Sequence, residues 1–106
     1  MVEISRSLTY IEGKGYEGVV YCYENTNTSM KYIGCTPREE ERKSSWNRWG
    51  NAYSGAKIAK ARKESQPEDW TYFVIEKHYS FDLVELEHVL EERESYYINA
   101  YDSYEN

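Results

Sequence analysis

The 106-residue chain is poor in the residues that staple, ligate or break a fold: it has two cysteines, two prolines and two histidines. Two cysteines cannot build a disulfide framework, and Cys22 and Cys35 show no Cys-x-x-Cys spacing. His78 and His88 lie too far apart in sequence to complete a structural zinc site with them, so two buried free thiols are expected. No apolar run approaches the ~20 residues that a bilayer-spanning helix needs. Met1-Val2-Glu3-Ile4-Ser5-Arg6 lacks the charged-then-apolar layout of a secretory signal. A soluble cytoplasmic protein without a membrane partner is the expectation. Internal repeats, low-complexity runs and linker-like stretches are also missing.

What the chain does have is aromatic mass. Forty per cent of it is apolar and 16% aromatic, with twelve tyrosines, which argues for a folded globule with one core. The net charge is −6, an awkward value for a partner of nucleic acid, but it is unevenly spread. Residues 37–63 carry eight basic residues against three acids, a local +5, whereas residues 64–106 sum to −10. One positive segment could therefore face phosphates, or be a solvated helical surface.

The pattern of residues predicts the order β-β-α-α-β-α, an α/β chain of the α+β type with a small, mainly antiparallel three-stranded sheet flanked by helices. Residues 1–16 read as an N-terminal extension, an edge strand or a loose arm, and residues 17–106 as the domain proper. Glu17 to Tyr23 alternates like a strand, Asn25-Thr26-Asn27-Thr28-Ser29 has turn chemistry, and Met30 to Cys35 returns. Folding the hairpin symmetrically about Thr26 and Asn27 sets Tyr21 opposite Tyr32. Thr36-Pro37-Arg38-Glu39 reads as a helix start, with Thr36 as cap and Glu39 closing a capping box, and that helix should reach about Arg48. Ser54 can cap a second helix to about Glu64. Trp70 to Lys77 reads as a third strand, and Ser80 as the cap of a long helix over residues 81–100.

That last helix contains an anomaly. Leu83, Leu86, Leu90, Tyr97 and Tyr101 form one stripe at helical spacing, and Glu94 falls on it. An ionised carboxylate on a core-facing stripe needs compensation by a metal ion or by a buried cation, unless the stripe ends in solvent there. Arg42, one turn before Trp46 in the first helix, could brace a phosphate or stack on the indole.

Val19-Val20-Tyr21, followed after ten residues by Tyr32-Ile33-Gly34, resembles the paired motifs of the GIY-YIG nuclease family. The resemblance extends to Arg42, eight residues beyond the second motif, and to Glu92-Arg93-Glu94-Ser95-Tyr96-Tyr97-Ile98 in the late helix. It covers residues 17–106 and is closest to homing-endonuclease members. It implies a metal-dependent endonuclease, a phage or mobile-element homing-type enzyme or its catalytic domain, that hydrolyses phosphodiester bonds of DNA. It further implies one divalent metal on Glu94, Mg²⁺ with Mn²⁺ as a substitute, and Tyr21 as the base for the attacking water. A phenol of pKa near ~10 needs positive potential nearby for that task. Arg42 would brace the phosphate, Tyr32 would orient water or phosphate, and Tyr53 would stand near the scissile group. Gly34 is the structural glycine of the motif. Arg38, Lys43, Arg48, Lys57 and Lys60 are the candidate DNA contacts.

Departures accompany the resemblance. Val19-Val20 replaces Gly-Ile, and Trp46 occupies a position usually His or Tyr, where an indole offers one donor and no acid–base function. For the asparagine that relatives place after the final helix, the expectation is a residue beyond the given end, with Asn106 as the alternative. Homing and repair members usually carry a separate DNA-binding domain, so the resemblance leaves two expectations: a catalytic domain with an additional DNA-binding domain outside this chain, or a standalone nuclease. The alternative is a catalytically inactive module of the same fold that binds DNA or protein.

Overall fold

The computed structural model describes residues 8–47 and 56–101. In chain order these form β1 (Thr9–Ile11), β2 (Gly15–Asn25), β3 (Lys31–Thr36), α1 (Glu39–Asn47), α2 (Ala56–Lys63), β4 (Trp70–Ser80) and α3 (Leu83–Tyr101), with a short 3-10 turn over Pro67–Asp69. The class is α+β as expected, but the sheet has four strands rather than three, because the N-terminal extension supplies β1. Every pairing is antiparallel, and β2 is the centre. β1 and β3 pair with successive parts of one edge of β2, and β4 runs along the other. A turn at residues 12–14 makes the first hairpin possible. Gly13 and Gly15 there have φ of 86° and 96°, a region that costs side-chain-bearing residues dearly.

Hairpin register departs from the symmetric expectation. Tyr21 pairs with Gly34 and Tyr23 with Tyr32, because Glu24 pairs with Lys31 and the loop is centred one residue later. The cause is Asn25, whose Oδ1 accepts from the backbone N–H of Asn27 and Thr28, winding the chain for an extra step before it returns. A two-residue shift leaves Tyr21 and Tyr32 on one face but no longer opposed.

The two faces carry different cores. Val19, Tyr21, Tyr23 and Tyr32 pack with Trp46 of α1, Ala61 of α2 and Trp70. Val20, Cys22 and Ile33 pack under Leu86 and Leu90 of α3 on the opposite face. Each such aliphatic side chain contributes roughly 1.5–3 kcal/mol by leaving water. Trp46 stacks on Tyr23 at 3.8 Å, with the Arg62 guanidinium 4.4 Å from its ring centroid. Arg62 is only 5% exposed and donates to the Trp46 carbonyl, so this member of the positive segment belongs to the core.

Other boundaries shift for local reasons. Thr36 Oγ1 accepts from the Arg38 N–H at the start of α1 as expected, while Glu39 reaches sideways to accept from Tyr72 Oη at 2.6 Å. β4 continues to Ser80, three residues past the expected end, because β2 begins earlier and gives it a partner. Asp82 rather than Ser80 caps α3: its Oδ1 accepts from the Val84 N–H at 3.0 Å, and Ser80 Oγ accepts from the Asp82 N–H. Finally, β4 has one extra residue. Val20 pairs with Glu76 and Tyr21 with Val74, leaving Ile75 as a bulge.

Candidate functional site

Gly34 is where the site begins. A Cβ built on it would overlap the Oη, Cζ and Cε1 atoms of Tyr21, so only glycine lets the phenol lie flat across β3. Thus placed, Tyr21 is 1% exposed and its oxygen accepts from Arg42 Nη1 at 3.0 Å. A guanidinium N–H aimed at a phenol oxygen favours negative charge on it. The helix start at Thr36-Pro37 sends α1 back along the strand ends, which is what brings Arg42 there.

Arg42 also lines a hollow of about 490 Å³ between the start of α1 and the middle of α3. Arg38, one helical turn earlier, lies on the same wall, and Glu87 and Glu91 of α3 face it. Cys35 and Thr36, at the end of β3, join the two walls. The α1 wall thus carries two cations, Arg38 and Arg42, with one acid, Glu41, and the α3 wall two acids; the hollow sits at a helix N-terminus, where anions are favoured.

Glu94 stands one turn past Glu91 and is half-buried. It lies near the Cys35 thiol, outside the lining of the hollow. Burial first, then the charges of Glu94 and Glu91, push that thiol up to about 12, and Arg42 works in the opposite direction. Cys35 is thus half-buried in the wall of the hollow and not a second core thiol; Cys22 alone is fully buried. The stripe that contains Glu94 does face the sheet at Leu86 and Leu90, but it ends in solvent at Tyr101.

Tyr32 lies elsewhere. It is 2% exposed and packs beside Trp46 with ring centroids 6.0 Å apart. Lys43 is half-buried, 5.0 Å over the Tyr72 ring, and Lys60 is exposed on α2. Tyr53 and Arg48 lie outside the described residues, as does the Lys57 side chain. The arrangement thus brings Tyr21, Arg42 and, through Cys35, Glu94 to the end of β3, with Arg38 beside them. Tyr21 comes from the α1 face of the sheet and Glu94 from the α3 face; Arg42 spans the strand end between them.

Sequence reasoning missed Cys35 and Glu91, although Cys35 follows the motif glycine directly and Glu91 precedes Glu94 by one turn. It also missed Glu76. That acid is held by Arg93, Tyr97 and His78, which draw its carboxyl down to about 2.

Among the described residues no three His, Cys, Asp or Glu side chains form a group able to hold a metal ion. A cation here would take one or two carboxylates and fill its shell with water and phosphate oxygens, the habit of Mg²⁺. The hard oxygen donors of Glu94 and Glu91 fit that habit. No helix among the described residues is long and apolar enough to cross a membrane. Comparisons of the chain with protein-family models, with curated proteins and with solved structures find no match.

Proposed function

We propose that this chain is a metal-dependent endonuclease domain of GIY-YIG type that hydrolyses DNA phosphodiester bonds. The observation that carries the reading is the Arg42 Nη1–Tyr21 Oη hydrogen bond at 3.0 Å, behind a hollow that Arg42 lines on one side and Glu87 and Glu91 on the other. Glu94, with Glu91 beside it, would hold Mg²⁺ or Mn²⁺, which supplies charge neutralisation at the phosphate and the leaving oxygen. Arg42 and Arg38 bind the scissile phosphate from the other side, at the N-terminus of α1. Tyr21, its own phenol proton given up to solvent under the positive field of Arg42, would act as the phenolate that takes the proton of the attacking water. Tyr23 and Tyr72, each with its ring centroid 5.8 Å from that of Tyr21, support it from the core side, and Lys43 and Lys60 extend the cationic surface along the DNA.

A plasmid-nicking assay with Mg²⁺ tests the proposal. Wild type should nick, and Glu94→Ala should abolish nicking with an unchanged thermal melt. Arg42→Ala should lower the rate by about 10²–10³-fold, the usual cost of one donor to developing charge. Nicking that survives Glu94→Ala at full rate refutes the metal assignment.

A second reading, a non-catalytic module that binds DNA or protein, is favoured by one observation: Tyr21 is 1% exposed, which shields a water base from its water. Retention on DNA with no nicking at any Mg²⁺ or Mn²⁺ concentration would select it.

A further inference from the structure

Glu76 accepts four donors on two oxygens. Arg93 gives Nε to Oε1 at 3.0 Å and Nη2 to Oε2 at 2.7 Å, Tyr97 gives Oη to Oε2 at 2.5 Å, and His78 Nε2 lies 2.7 Å from Oε1. A carboxylate has about four acceptor positions, so this cluster is saturated and has none left for a ligand. Its role is mechanical. Strand alternation alone would turn Glu76 toward the α1 face with Tyr72 and Val74. The bulge at Ile75 reverses that, and Glu76 shares the face of Val20, under α3.

Arg93 and Tyr97 lie one turn apart on α3 and both close on Glu76 of β4. Glu94 follows Arg93, about 100° further round the helix, and is half-buried near Cys35 of β3. The helix is therefore held to β4 through Glu76, on the flank beside the one that carries Glu94. We propose that Glu76 is a positioning residue: by holding Arg93 and Tyr97 it sets the roll of α3 and keeps Glu94 beside Cys35. Its catalytic consequence rests on the nuclease reading, and its structural half does not. A carboxylate roughly 6 Å from a helix axis moves about 2 Å for a 20° roll, and about 1 Å of misplacement can cost about 10²-fold in rate.

The test uses the full chain with Glu76→Gln, which keeps the side-chain shape and removes the charge, and reads two quantities. The first is the rate at which iodoacetamide alkylates Cys35 at fixed pH without metal; fully buried Cys22 reacts far more slowly. Release of Glu94 should raise that rate about fivefold or more. Glu94→Gln should do the same, and the double variant should add nothing, whereas general loosening of the fold would add to it. The second is nicking with Mg²⁺, where kcat should fall about tenfold or more at unchanged KM for DNA. Tyr97→Phe, which keeps the Arg93–Glu76 pair, should shift both in the same direction by less, and replaces Glu76→Gln if that variant does not fold. An unchanged alkylation rate in a folded variant overturns the proposal, whatever happens to nicking. Faster alkylation in a protein whose wild type never nicks sinks the nuclease reading and leaves the positioning role standing.

Discussion

Gly34 and Tyr21 show how one missing methyl group can decide a site. Because a Cβ at residue 34 would overlap the phenol, Gly34→Ala should push Tyr21 off β3 and away from Arg42. Overpacking of this kind costs about 1–3 kcal/mol, which a urea melt would read directly; an unchanged midpoint would mean that the phenol yields freely. Tyr21→Phe removes only the acceptor for Arg42 and should cost about 1 kcal/mol while leaving the packing intact. Comparison of the two melts separates the ring from its oxygen. The sequence placed these residues in one neighbourhood through motif spacing. It could not show that Tyr21 would be buried behind Arg42, since burial depends on where the helix after Thr36 crosses the strand ends.

Elements were legible where local chemistry dominates. Alternation marked β2, turn chemistry the return in β3, aromatic and β-branched content β4, and helical spacing α3. Caps and register were harder, because they depend on which of several competent side chains wins. Ser80 and Asp82 can each cap a helix, and Asp82 does so because Ser80 is still paired in β4. Asp82→Ala should therefore cost about 1 kcal/mol in a thermal or urea melt, while Ser80→Ala costs less. The bulge at Ile75 was invisible for the same kind of reason: it follows from pairing β4 along all of β2. Its consequence is the Glu76 clamp. Chiefly through Arg93, then Tyr97, Glu76 is held at about 2 in the folded state against an ordinary value of 4.5. The unfolded chain therefore binds the extra proton first as pH falls. The contribution is complete above about 4.5 and is lost on descending toward about 2. Because the side chain is 22% exposed, solvent screening leaves about 1 kcal/mol of it. Urea midpoints at pH 5 and pH 3 should differ less in Glu76→Gln than in wild type. Equal pH dependence would remove the clamp from the list of acid-labile contacts.

At the scale of the molecule, charge asymmetry becomes geometry. The basic run of residues 37–63 supplies Arg38 and Arg42, with the single acid Glu41, to one wall of the hollow, and the acidic C-terminal part supplies Glu87 and Glu91 to the other. If the cationic wall and the exposed surface of α2 meet phosphates, retention on DNA should weaken steeply with salt, and Arg38→Ala should flatten the slope by about one counterion. A salt-independent response would exclude the phosphate contact. The amino-acid order by itself determined the α+β class, the hairpin at the centre, and the identities of the stripe on α3, because periodicity and turn chemistry are local properties. Only the tertiary structure decided that Arg62 belongs to the core, that Cys35 lies near Glu94, and that Glu76 turns toward α3. Each of those depends on contacts between segments far apart in the chain, whose energies no local pattern contains.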